Sequence, residues 1–119
     1  MSSLYRKFVN LLTVELESLV DELEVLMKYQ DQRLENQEIT DYVRHYNVAT
    51  LQNQVKGLHE FLKCEGCLDA DSDAALDEIA EEIRGYVKAY FAHYEYVPAT
   101  YEVVRLRIDK ITTYLRNPV

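Results

Sequence analysis

One loop divides this chain. Residues Cys64-Glu65-Gly66-Cys67-Leu68-Asp69-Ala70-Asp71-Ser72-Asp73 join a glycine to acids and small polar groups, and no hydrophobic period runs through them. On either side apolar residues recur at helical spacing, so the loop 64–73 separates a hairpin over 1–63 from a second over 74–119. Only three glycines and two prolines occur in 119 residues, too few for a fold of many short strands and tight turns. The expectation is an all-α domain spanning 1–119, an antiparallel up-down bundle of four helices, two long and two shorter.

The first helix starts at Ser2 or Ser3, either of which can cap free backbone amides. Its apolar stripe is Leu4, Phe8, Leu12, Leu16, Leu19, Leu23 and Leu26, flanked by Val9, Val20 and Met27, and it fades after Leu34. Asn36 or Thr40 marks the break. The second helix carries Ile39, Val43, Tyr46, Leu51, Val55, Leu58 and Leu62, ends near Lys63, and holds Gly57 where a close helix crossing or a neutral surface site is expected; Gly66 suits the turn beyond it. The third starts after Asp71 or Asp73, with Asp77 and Glu78 facing the positive end of its dipole. Its stripe runs Leu76, Ile79, Ala80, Ile83, Tyr86, Val87, Tyr90, Phe91, Tyr94, and Gly85 is expected to permit another close approach. Pro98 is the expected stop, and the fourth helix then carries Tyr101, Val104, Ile108, Ile111 and Leu115 to Asn117-Pro118.

At 1.5 Å per residue the first two helices reach roughly 40–50 Å and the last two about 25–35 Å. Unequal hairpins leave apolar seam uncovered at one end of the long pair, and a second copy or another protein's helix is the expected cover.

Charge narrows the partners. The net charge is -8, yet residues 64–83 hold eight acids and no bases, whereas 84–119 hold six bases and three acids. With a sequence pI near 4.8 the chain lacks the clustered positive surface that phosphate neutralisation requires, so no nucleic acid is expected. The basic end (Arg105, Arg107, Lys110, Arg116) is expected to lie against the acidic segment of the same chain. No apolar run reaches the length of a membrane span and no signal peptide is legible, which points to the cytoplasm and to reduced cysteines.

Cys64-x-x-Cys67 has the spacing of a zinc half-site or a redox pair, and His59 or His93 are the nearest further ligands. Zinc requires four ligands, no second pair exists, and a redox motif belongs at a helix start rather than after a helix. Asp69-x-Asp71-x-Asp73 resembles the opening of a calcium loop, but Ala74 and Ala80 stand where glycine and glutamate are needed. Glu78, Glu81 and Glu82, with Asp77, gather carboxylates on one helical side, and Glu38-x-x-Asp41 repeats the theme earlier. Their spacing is similar to the magnesium-binding acids of all-α nucleotide pyrophosphohydrolases, although the order of the clusters is reversed. No nucleophile motif and no phosphate-binding glycine loop is present.

Tyrosine is the distinctive residue: ten occur and no tryptophan. Tyr86, Tyr90, Tyr94, Tyr96 and Tyr101 crowd the turn between the third and fourth helices. An apolar ring with a polar tip suits half-wet surfaces and interfaces. The reading is a small acidic helical protein-binding module (adaptor, chaperone or regulatory subunit) without catalytic activity or cofactor. Its expected partner is another protein or helix, with a homodimer favoured, and those five tyrosines are the contact residues. The alternatives are a metal-dependent nucleotide-hydrolysing enzyme using Glu78, Glu81 and Glu82, and a zinc or redox protein built on Cys64 and Cys67.

Overall fold

A computed structural model describes residues 3–64, 68 and 74–117, and within them the chain forms four α-helices and no strand. They are α1 (Ser3–Glu35), α2 (Asp41–Lys63), α3 (Leu76–His93) and α4 (Pro98–Arg116). Thr40 caps α2: its hydroxyl accepts a hydrogen bond from the Val43 amide at 3.2 Å. Pro98 occupies the first turn of α4, where its missing N–H costs nothing. The expected caps of α3 are displaced. Its N-cap is Ala75, which makes no side-chain cap, while Asp71 and Asp73 lie outside the described residues together with Ser2, Gly66, Cys67 and Asp69.

Two helices end by the same device. Glu95 adopts φ 59°, its amide bonds Ala92 O at 3.1 Å, and the Tyr96 amide bonds Phe91 O at 3.0 Å. The Tyr96 and Phe91 rings then meet edge-on with centroids 5.8 Å apart, completing a Schellman motif with its hydrophobic contact. Gln37 repeats the backbone pattern after α1, with φ 60° and the Glu38 amide on Arg33 O at 2.9 Å. Hence α3 ends at His93 and the chain leaves it through the left-handed Glu95, before Pro98 can act as the expected stop.

The hairpins pack through one core. Phe8, Leu12, Leu16, Leu19 and Leu23 of α1 meet Leu58 and Phe61 of α2, Ile79, Ile83, Val87 and Phe91 of α3, and Val104, Ile108 and Ile111 of α4. Neighbouring helices run in opposite senses. Gln30 and Asp31 meet Asn47 and Arg44, Phe61 meets Tyr86 and Tyr90, and Arg84 meets Asp109.

Gly57 is buried where α2 meets the start of α4, and a Cβ there would stand 3.1 Å from Thr100 Cγ2 and 3.2 Å from Tyr96 Cδ1. Of the two expectations for Gly57, the close crossing is the one found. Gly85 is not one, since it is exposed and a Cβ would meet nothing within 4 Å. Asn53, one turn before Gly57, accepts a hydrogen bond from the Val97 amide through its Oδ1 at 3.3 Å, so the α3–α4 turn is pinned to the middle of α2.

That pin sets the shape. The α3–α4 pair stops level with Asn53, and the long hairpin continues past it as a two-helix arm made of residues 25–35 and 41–52. The radius of gyration is 16.4 Å, against about 13.5 Å for a compact chain of this length, and the extents are 53 × 35 × 19 Å. Inside the arm Gln30 is buried: Asn47 donates to its Oε1 at 3.0 Å, its Nε2 donates to Leu26 O at 3.1 Å, and Arg44 bonds Asp31 at 2.6 Å beside it. Leu26, Val43 and Tyr46, read as core from their spacing, are exposed, because the short hairpin does not reach them.

The basic end meets other acids than expected. Arg107 bonds Glu15 at 3.0 Å and Glu22 at 2.7 Å, and Lys110 bonds Glu15 at 3.1 Å, so α4 is tied to α1. Arg105 pairs with Glu102 and Asp109 on its own helix. Among the described residues, only Arg116 of these four reaches the acidic segment, where it pairs with Asp77.

Candidate protein-binding surface

The five tyrosines lie along two sides of α3, with Tyr96 between them. Tyr86, Tyr90 and Tyr94 recur every four residues and therefore line one edge of the helix, the edge that meets the end of α2. Phe61 lies beneath them, its ring edge-on to Tyr90 at 5.1 Å and 6.4 Å from Tyr86. Tyr94 leans on Tyr90 with centroids 4.8 Å apart, and on His93 at 4.8 Å. Tyr90 is half-buried, while Tyr86 and Tyr94 expose 42% and 57% of their surface, so the row has a fixed middle and wet ends.

Tyr101 belongs to the opposite side, and Tyr96 stands between, close enough to act on Tyr90 and Tyr94 while it shares a hollow with Tyr101. With Phe91, Val97 and Pro98 they line a hollow of about 360 Å³ at the α3–α4 turn, with Lys88 and Glu102 also in its lining. Lys88 Nζ lies 5.9 Å from the centroid of the Tyr101 ring, within cation–π range. Tyr96 also carries fold, through Phe91 on one side and Gly57 on the other.

Burial pushes the hydroxyl pKa of Tyr90 up, and Tyr94, Tyr96, Glu60 and Tyr86 add to the rise. Tyr96 is raised by burial and then by Glu60 and Tyr94. Both rings thus stay neutral well into the alkaline range, and Glu60 gives the surface a negative neighbour.

The helical stripe read from sequence omits Phe61, the residue on which the tyrosine row rests. Its spacing of three from Leu58 is the signal that places it on the buried face. Asn53 carries no comparable signal, because an asparagine within a helical pattern reads as solvent-facing until its partner is known.

The metal candidates include Cys67, which lies outside the described residues. Among the described residues no group of three histidine, cysteine, aspartate or glutamate side chains converges. Glu78, Glu81 and Glu82 are exposed on α3, where Glu81 pairs with Arg84 at 3.1 Å. His59 lines the groove between α1 and α2 with Glu17, Asp21 and Lys63, whereas His93 sits on the last turn of α3. Cys64 forms the C-cap of α2 and is disulfide-bonded, in contrast to the reduced thiol expected. No helix among the described residues is long and apolar enough to cross a membrane.

Comparison with protein-family models, with curated proteins and with solved structures finds no match for this chain. Its class is therefore stated by its own architecture, an all-α protein of two unequal helical hairpins.

Proposed function

We propose that the protein is a helical protein-binding module, and that the row Tyr86, Tyr90, Tyr94 is its contact surface. The observation that carries this reading is the exposure of Tyr86 and Tyr94 on either side of a ring held in place by Phe61. A preordered aromatic row loses little side-chain entropy on binding, which is why such rings serve as anchors. The row presents π-faces with a carboxylate, Glu60, in its electrostatic field, and the chain carries a net charge of -8. A helix or strand offering apolar side chains together with lysine or arginine has the complementary chemistry.

The test is affinity. A partner isolated on the wild-type protein is purified and its binding measured again with Tyr94→Ala and with Tyr86→Ala. Each substitution removes an exposed ring and leaves Phe61 and Tyr90 in place. Loss of an anchor is expected to weaken binding about tenfold, roughly 1.4 kcal/mol, with little change in melting temperature. Equal affinity in both variants would overturn the assignment of this surface.

A further inference from the structure

We infer that the hollow at the α3–α4 turn is a binding site for a small aromatic carboxylate, its ring among Phe91, Tyr96, Pro98 and Tyr101 and its charge on Lys88. The reading of the tyrosine row as a protein contact does not depend on this site, and the site does not depend on that reading.

The turn makes the space. Glu95, at φ 59°, reverses the chain, and the Tyr96 ring folds against Phe91 at an interplanar angle of 87°. Two rings at a right angle form a corner. Tyr101 and Pro98, from the start of α4, supply further wall and bring the volume to about 360 Å³. Sites for small molecules run from about 300 to 1,000 Å³, so this one has room for one or two fused rings and not for a nucleotide. Rings prefer edge-on or offset contact with other rings. Three aromatic side chains and a proline offer such contacts where an aliphatic wall would not.

Charge selects the ligand's polar group. Among the described residues, the charged side chains that line the hollow are Lys88 and Glu102, and they are not equivalent. Glu102 is already engaged: Arg105 donates to its Oε2 through Nε at 3.0 Å and through Nη2 at 2.9 Å. Lys88 takes part in none of the ion pairs formed among the described residues. Its ammonium stands 5.9 Å from the centroid of the Tyr101 ring, a contact that positions a cation without cancelling its charge. The first turn of α4 lines the same space, and its N-cap Val97 makes no side-chain cap, so the positive end of that helix acts in the same sense. A carboxylate on the ligand answers this uncompensated cation. An ammonium on the ligand would meet only a carboxylate that Arg105 already holds.

Nuclear magnetic resonance titration of the full chain tests the site. The probe is 2-naphthoate, and its control is 2-naphthamide, an uncharged molecule of the same shape. The acid is expected to shift the amide signals of Lys88, Ala92, Val97 and Tyr101 saturably, with a dissociation constant of about 1 mM or below, as suits a ligand of this size. The amide is expected to bind the same place about tenfold more weakly, the discrimination a partly hydrated ion pair can supply. Acetate, which has the charge and no ring, should give no saturable shift. Lys88→Gln changes an exposed side chain, so the fold should be kept. It should weaken 2-naphthoate about tenfold and leave 2-naphthamide unchanged. Equal affinity for acid and amide, unchanged affinity in Lys88→Gln, acetate binding as tightly as the ring acid, or no saturable shift at these residues each overturns the inference.

Discussion

The ring of Tyr96 stands against the bare backbone of Gly57, and the buried methyl of Thr100 closes the same space from the other side. A Cβ at position 57 would come within 3.1–3.3 Å of both. Neither neighbour can yield easily, since Tyr96 is fixed by the turn after α3 and Thr100 is fully buried. Gly57→Ala is therefore expected to destabilise by about 1 kcal/mol, the crowding outweighing the helix propensity gained. Gly85→Ala, in open space, should stabilise by up to about 1 kcal/mol. Opposite shifts of the urea midpoint would establish the crossing.

Thr100 contributes a second test at the same place. Its hydroxyl is buried and has no hydrogen-bond partner among the described residues. Thr100→Val keeps the shape and removes an unsatisfied polar group. The expected result is a gain of about 1 kcal/mol in unfolding free energy, measured by denaturant titration.

The link between α4 and α1 is predicted to depend on pH. Burial alone would raise the pKa of Glu15, but hydrogen bonds from Lys110 and Arg107 outweigh it and hold the carboxyl below its ordinary value. A depressed folded pKa contributes stability above the unfolded value, about 4.3, and that contribution disappears as pH falls through the lower folded value. Arg107→Met keeps the apolar stem and removes the charge from a pair whose side chains are only 18% and 23% exposed. It should cost about 1–2 kcal/mol at pH 7, with wild type and variant converging only as pH falls through the lowered folded pKa of Glu15. Thermal melts of both proteins at pH 7 and along a descending acid series check this.

Gln37 and Glu95 both hold left-handed backbone at helix ends, a conformation that favours glycine. Gln37→Gly and Glu95→Gly are each expected to stabilise by about 1 kcal/mol, or about 3–5 °C in melting temperature. Substituting valine, whose branched Cβ tolerates this region poorly, should act in the opposite direction.

The element boundaries were legible where local chemistry alone decides them. Thr40 caps α2 as its hydroxyl suggests, and Lys63 ends it. The stripes were legible as faces, but periodicity states which side of a helix is apolar and not what lies over it. Leu23 and Leu26 belong to the same stripe, and one is buried while the other is 45% exposed. The difference is the position of the α3–α4 turn, which is set by Asn53 and Gly57 rather than by anything in α1. The basic end failed as a long-range guess for the same reason: charge counts rank acids by number, whereas Arg107 reaches Glu15 and Glu22 because α4 packs along α1. The tyrosines were found by composition. Their division into an exposed row and a pair lining the hollow at the turn follows from the helical phase of α3 and from the turn itself.

The buried amide of Gln30 has a dynamic consequence. The arm is joined along one seam, where Gln30, Asn47, Asp31 and Arg44 share polar bonds, while the apolar core lies lower down. Opening the tip breaks those bonds and exposes little additional apolar surface, so its free-energy cost lies well below that of global unfolding. Amide protons near residues 34–44 should exchange with solvent in a separate, faster unit, while those around Leu16, Leu58 and Ile108 exchange only when the whole molecule unfolds. The long helix pair is thus expected to open from its tip while the core below stays folded.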